Sequence, residues 1–431
     1  MRTGGNILDD NRGERSVHKV VENDSKQLQL SREDVTYLQQ EWDDDVSLID
    51  KGDTQTISVT NTVGVIGLPS GKILSITPKV ETSLLYLLAY AGRVNDKIVR
   101  DRHPGAIELG DSLTNLLGQL FLTEIEHLHR QGLDQDYRTT ESTERHVRGQ
   151  IQVQKQLQQH GPVPTEFECQ YQDRTPNIPI NQVLVKTVNV VLPLITDADL
   201  RARLQQAQAR FKPVVAPSVH PLEALEQISL SRLNDHYRAA LLLSQAILEQ
   251  EYLHDTTEST RPFPSMVFPM PTVFEEVVQQ VVETTLDGTP YRMSKKDLGT
   301  IAKRADDERG TRDLEPDFVI RREVESKETD PVIAVGDAKW KTDKKPSSED
   351  FYQLATYQAY ADVPGILIYP KKQTEEHDLV YENSSDSNRG RLLIRTLNTD
   401  PTNRYEPFVD QLFESLRDPL SELLDHTDTP I

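Results

Sequence analysis

The stretch that most constrains this chain runs from Asp313 to Lys341, DLEPDFVIRREVESKETDPVIAVGDAKWK. Two apolar runs, Phe318-Val319-Ile320 and Val332 to Val335, flank Ser326 to Pro331, which carries the Ser, Asp and Pro of a turn. The pattern predicts a β-hairpin. Side chains two apart on a strand share a face, so Asp337, Lys339 and Lys341 are expected to point the same way. Pairing of the two strands brings Asp317, at the head of the first, beside Asp337, near the end of the second. Two carboxylates and an ammonium converging at one end of a sheet are how a Mg²⁺ (or Mn²⁺) site for phosphodiester hydrolysis is built. Hard oxygen ligands hold the ion, and a lysine sits near the attacking water. In the bland reading both acids are solvated strand ends and Lys339 a surface charge. Residue type, order and context favour the site.

The context is helical on both sides. Pro271 to Leu286 (PTVFEEVVQQVVETTL) reads as an amphipathic helix carrying Glu275 and Glu276. Downstream, Gln353 and Tyr357 lie one helical turn apart after a plausible cap at Ser347 or Ser348. Pro316-Asp317, about twenty residues, then Asp337-Ala338-Lys339 resembles the PD-(D/E)xK nuclease superfamily. The helix, hairpin, helix order with Q-x-x-x-Y is similar to its RecB-like members. That resemblance implies an α/β restriction-endonuclease-like domain in which Asp317, Asp337 and the Ala338 backbone carbonyl hold one or two metal ions. Lys339 would position water or stabilise phosphate oxygens, and Glu275 would accept from water or orient Lys339. Gln353 and Tyr357 would align the site or touch the DNA backbone. Glu276, adjacent to Glu275, is an alternative for the same role.

The chain has 431 residues, enough for two or three domains with cores of their own. Its 69 acids against 48 bases give a formal charge of −21, at odds with phosphate binding, which needs Lys and Arg. An acidic globular surface of this kind suits a halophilic protein in a high-salt cytosol, where screening is short-ranged and carboxylates stay hydrated. Bases nevertheless cluster around the hairpin, among them Lys295, Lys296, Arg312, Arg321, Arg322, Lys341, Lys344 and Lys345. Of these, Lys341, Arg321 and Lys344 are the candidates for contact with DNA. The single Cys169 excludes an intramolecular disulfide and a cysteine-rich zinc site. No apolar run approaches bilayer-spanning length, and the start of the chain lacks a hydrophobic signal core, so a cytoplasmic location without membrane contact is expected.

Taken in order, residues 1–29 are polar and aperiodic and read as a disordered tail. Residues 30–255 read as an α+β region: a small β-domain with strands at Ile57–Thr60, Val63–Leu68 and Ile73–Ile76, then Leu-rich helices at Leu84–Leu88 and over Leu113–Leu133. Val147–Gln156 and Glu166–Gln172 alternate like strands. Pro176 to Ile195, Ala198–Phe211 and Pro221–Leu253 read as helical. Thr256–Ser265 is polar and proline-bearing, a linker into a C-terminal domain of residues 256–431. There, Pro364–Tyr369 and Arg391–Thr396 add strands, and Glu406–Leu424 adds a closing helix.

Several segments resemble the McrC family of 5-methylcytosine restriction system components: VGVIGLPSGKILSITPKV (Val63–Val80), LLYLLAYA, RGQI with Arg148-Gly149, FECQYQDRTPNIPINQVLVKTVNVV with Asn177 and Asn181, and Phe274-Glu275. The likeness runs from about Leu30 to the C-terminus. It implies a nuclease subunit working with McrB, an AAA+ GTPase ring. The N-terminal part would dock on that ring and stimulate it, and the C-terminal domain would cut double-stranded DNA bearing modified cytosine. Consistent with a borrowed motor, the chain has no G-x-x-x-x-G-K-[ST] loop. Gly67 to Lys72 is one residue short between the glycines, and Ile73 stands where the hydroxyl belongs, so it reads as a β-turn. Gly110-Asp111-Ser112-Leu113 spells an esterase signature, but no histidine has an Asp three residues before it, and Ser112 reads as a helix cap. His127 and His129, two apart on a helical pattern, diverge. Two other functions remain open: a non-catalytic adaptor that activates a ring NTPase, and a stand-alone RecB-like repair nuclease.

Overall fold

A computed structural model of the chain describes residues 17–50, 54–100, 113–159, 165–211, 213–252, 263, 265–295, 298–303, 311–324, 330–342, 346–371, 379–382 and 391–425. The backbone sorts into two units. One holds Thr114–Pro264, and the other joins Arg15–Leu113 to Ser265–Ile431. The expected boundary near residue 256 is close to the second junction, but the expected continuous region of 30–255 is not one body. The reason is long-range strand pairing. Ser265–Pro269 pairs antiparallel with Thr62–Gly67, Val267 opposite Gly64, at the edge of a four-stranded sheet. Gly64 has φ +130°, and a Cβ there would meet the Met266 carbonyl at 2.1 Å, so only glycine lets the strands approach.

The expected tail of 1–29 is corrected over residues 17–29, and residues 1–16 lie outside the described residues. Val17–Val21 pairs parallel with Ile73–Thr77, and Ser25–Leu28 pairs with Gln55–Val59 in a separate three-stranded sheet completed by Val46–Asp50. Local polarity hid these strands because both are edge strands whose partners lie tens of residues away. The helix Arg32–Glu41 follows a capping box in which Ser31 and Asp34 satisfy each other's backbone amides. The LPSGK segment forms a turn, with Gly71 at φ +78° donating to the Leu68 carbonyl, as expected.

The larger sheet of this unit has six strands in the order Tyr291–Ser294, Phe318–Arg322, Val332–Ala338, Gly365–Pro370, Arg391–Leu397 and Leu379–Glu382. Its three middle strands, Val332–Ala338, Gly365–Pro370 and Arg391–Leu397, run parallel. They read as near-continuous apolar runs because both faces are covered. Val335, Leu367, Leu392 and Ile394 pack with Leu354 and Tyr357 of the helix Ser348–Ala361. The alternate residues Ile366, Ile368 and Leu393 are fully buried too; the helix Met270–Leu286 packs on Val332–Ala338, and Tyr405–Asp425 on Arg391–Leu397 and Val332–Ala338. The Phe318–Arg322 strand is antiparallel to Val332–Ala338, which is the expected hairpin. Gly336 is required within it, since a Cβ would strike the Phe318 ring at 1.9 Å.

In the unit of 114–264, the nine-residue strands Asp136–Glu144 and Phe167–Thr175 pair in full register, with Gln150–Ile151 added at one side. The expectation of a strand over Val147–Gln156 holds only for that short piece. Val153–Gln159 is a helix, fixed by Gln156, whose side chain donates to the Glu166 carbonyl (2.9 Å) and accepts from the Glu168 amide (2.7 Å). Helices Leu113–Gln131, Pro179–Val191, Ala198–Phe211, Pro221–Gln227 and Arg238–Tyr252 complete the unit. Ser112 lies outside the described residues.

Candidate functional site: an acid pair and a lysine at one end of the hairpin

Phe318 pairs with Gly336, so the residues one step further, Asp317 and Asp337, stand at the same end of the hairpin. Asp317 reaches across: its Oδ2 accepts the Ala338 amide at 2.7 Å. Asp337 is fully buried and ion-paired with Lys339, and its Oδ1 has no hydrogen-bond partner. Burial and the charge of Asp337 push the Asp317 carboxyl up to about 7, against the pull of the Ala338 amide. Burial lowers the Lys339 ammonium, but the charge and hydrogen bond of Asp337, with Asp317 and Asp350, hold it above its ordinary value.

Glu275 joins the group from the Met270–Leu286 helix. Gln279, one turn on, donates to Glu275 Oε1 (2.9 Å) and to the Asp317 carbonyl (2.7 Å). Glu276 points elsewhere, into a bidentate pair with Arg93, so the choice between the two glutamates falls to Glu275. Tyr357 accepts from Gln353 (2.9 Å) and donates to the Glu315 carbonyl (3.2 Å), bracing the approach to Asp317. Ser347 is the cap of their helix, accepting from the Asp350 amide.

Lys341 is engaged in an ion pair. Its ammonium is held at 2.7 Å by buried Asp350, which also accepts from Tyr369 (3.1 Å). Arg321 is not brought to the cluster. It pairs with Val332 at the opposite end of the hairpin and donates to the Ser294 hydroxyl and the Asp330 carbonyl. Lys344 lies outside the described residues. Gln279, Asp350 and Trp340 were missed by sequence reasoning. Only Gln279 carried a local signal, the i+4 spacing from Glu275.

Among the described residues, no three His, Cys, Asp or Glu side chains gather in metal-holding geometry. The donors that could hold a cation are the carboxylates of Asp317 and Asp337 with the Ala338 carbonyl. They are hard oxygens, suited to Mg²⁺ or Mn²⁺. The unpartnered Asp337 Oδ1 and the two like charges crowded together fit a divalent ion, which would relieve both.

A mixed α/β fold with an acid pair and a lysine gathered at one end of a hairpin thus defines the class. The model of the McrBC 5-methylcytosine restriction system component family matches residues 57–370, and the chain belongs to that family. None of the curated proteins matches the chain. Among solved structures, it is similar to a chain of the refined half-complex from the tetradecameric assembly of Thermococcus gammatolerans McrB AAA+ hexamers with bound McrC. That match has 16% identity and a TM-score of 0.65 over 94% of this chain and 100% of the other. A second match is to the cryo-EM structure of the Thermococcus gammatolerans McrBC complex, at 16% identity and TM-score 0.44, covering 63% of this chain and 88% of the other. Among the described residues no helix is long and apolar enough to cross a membrane.

Proposed function

We propose that this restriction-system component is a metal-dependent endodeoxyribonuclease with a PD-(D/E)xK core. In this reading it cuts double-stranded DNA bearing modified cytosine in company with a McrB-like AAA+ GTPase, which it stimulates. The observation that carries the chemistry is the Asp317 carboxylate seated on the Ala338 amide, beside buried Asp337 and Lys339. A partner ring is supported by family membership, by the assembly of the similar solved structure with AAA+ hexamers, and by the lack of a nucleotide-binding loop in this sequence.

Asp317, Asp337 and the Ala338 carbonyl would hold Mg²⁺ or Mn²⁺. When bound, the ion supplies Lewis acidity that activates water and neutralises phosphate charge. The residues do the rest. Asp337 holds the Lys339 ammonium, which orients the attacking water or meets a phosphate oxygen. Glu275, fixed by Gln279, accepts a proton from water. Gln353 and Tyr357 keep the backbone before Asp317 in place. The net charge of −21 would suit a salt-rich cytoplasm, and cleavage retained at high salt is the outcome expected of that setting.

The test is cleavage of modified DNA by full-length chain with its GTPase partner. Asp317→Ala and Lys339→Ala are expected to abolish cutting while partner GTPase stimulation stays at the parental level. Undiminished cutting in either variant refutes the assignment. Stimulation without any metal-dependent cutting by the parent identifies an adaptor instead, and cutting without a partner identifies a stand-alone nuclease.

A further inference from the structure

The residues after Asp337 are each fastened to a different element. The Ala338 amide donates to Asp317, the Lys339 amide to the Ile368 carbonyl (2.8 Å), and the Lys341 ammonium to Asp350. Trp340, between the two lysines, is 3% exposed, and its partner lies 318 residues away. Its indole Nε1 donates to both carboxylate oxygens of Glu22, at 3.0 and 2.9 Å.

Glu22 follows the Val17–Val21 strand, and its amide is held by the Thr77 carbonyl (2.8 Å). Its side chain is fully buried and also takes the Lys79 ammonium (3.1 Å), itself buried and 5.7 Å above the Trp340 ring. A carboxylate taken wholly out of water is costly unless every lone pair is engaged. An apolar contact would pack the strand exit at less cost, so the charge is best explained by the direction it imposes. The indole also lies against Phe274, with ring centroids 5.4 Å apart, and Phe274 is the immediate neighbour of Glu275. One ring thus touches the flank of both arms of the site.

We propose that Glu22 is a positioning residue for the acid–lysine site: through Trp340 and Lys79 it fixes the backbone that presents Lys339 and the Ala338 carbonyl. The inference rests on the hydrolytic reading above. It also gives the PK of the ITPK segment (Pro78-Lys79) a role inside this unit. A misplacement of about 1 Å at such a site costs on the order of a hundredfold in rate.

Full-length chain carrying Glu22→Gln, Trp340→Phe or both is compared with the parent and with Asp337→Asn. The measurements are Mn²⁺ affinity by calorimetry, cleavage rate against Mn²⁺ at saturating DNA, DNA binding without metal, and Tm. Glu22→Gln is expected to weaken Mn²⁺ binding about tenfold and to lower the maximal rate about a hundredfold, with metal-free DNA binding unchanged. The double variant is expected to match the single Glu22→Gln, because the two act as one. A folded Glu22→Gln with parental Mn²⁺ affinity and parental rate overturns the proposal, as does strict additivity of the two changes. If Glu22→Gln does not fold, Trp340→Phe, which keeps a ring against Phe274, is read by the same measurements and the same outcomes. A parent that binds Mn²⁺ through Asp337 without cutting removes the hydrolytic reading alone, and the affinities still decide the role of Glu22. A parent with no Mn²⁺ site at Asp337 removes both.

Discussion

Two clusters, one in each unit, treat their buried polar groups in opposite ways. In the unit of 114–264, Asn181 is wholly buried and fully engaged. It donates to the Asp134 (3.0 Å) and Pro176 (2.7 Å) carbonyls and accepts from Tyr237 (2.9 Å). Tyr237, whose hydroxyl burial pushes up to about 12, also accepts the Asp134 amide. Arg148 and Gly149 are equally accounted for: the guanidinium stacks 3.9 Å above Tyr171 and bonds Asp173, and Gly149 turns at φ +67° against the Gln170 carbonyl. At the hairpin edge of the other unit, two carboxylates are crowded together and one buried oxygen has no hydrogen-bond partner. Satisfied networks stabilise; uncompensated ones are kept for chemistry. The contrast separates residues that hold this protein together from residues that act.

The sharpest way to break that contrast is at Asp317. Asp317→Ala should reduce DNA cleavage by at least about 10³-fold, or ~4 kcal/mol of barrier, in an assay with partner and metal. Asp317→Asn in metal-free buffer should instead raise Tm by about 2–4 °C, because one of two like charges is gone. A fall in Tm would place Asp317 with the structural groups. Asn181→Ala is the mirror image. It strands two carbonyls and a tyrosine hydroxyl, so urea unfolding should show ~3 kcal/mol lost from the unit of 114–264. Mn²⁺ affinity at the acid pair should not change.

Between these lies Gln279, which ties Glu275 to the backbone of Asp317. Gln279→Ala should slow cleavage about tenfold, ~1.4 kcal/mol, with little change in Tm. A larger stability loss than rate loss would move Gln279 to the structural side.

The elements nearest the chemistry were legible because their signals are local. The helix Met270–Leu286, the hairpin and the Ser347 cap lie within one residue of where periodicity and capping put them. What was not legible depends on partners far along the chain. Trp340 carries no local signal of its partner Glu22, and Val17–Val21 reads as polar tail until Ile73–Thr77 pairs with it. Lys341 shares strand parity with Lys339, yet Asp350 captures it, because alternation gives a face and not a partner. Asn177 and Asn181 stood out only through the family resemblance, and their bonds show a structural cause: Asn177 accepts from Gln182 and the Ala216 amide.

The smallest expected effect discriminates most finely, since it compares neighbours on one helix. Glu275 and Glu276 are the same residue type, both half-buried, and adjacent in sequence. Helical geometry sends them about 100° apart, one to Gln279 and the acid pair, the other to Arg93. The Arg93 pair is about a quarter exposed on both sides, so screening limits its worth to under about 1 kcal/mol. Glu276→Gln should therefore leave cleavage within about twofold of parent and shift Tm by no more than a few degrees. Glu275→Gln should spare Tm and lower the rate about tenfold or more through loss of the proton acceptor. Equal rates for the two variants would remove Glu275 from the site and leave its chemistry to Asp317, Asp337 and Lys339.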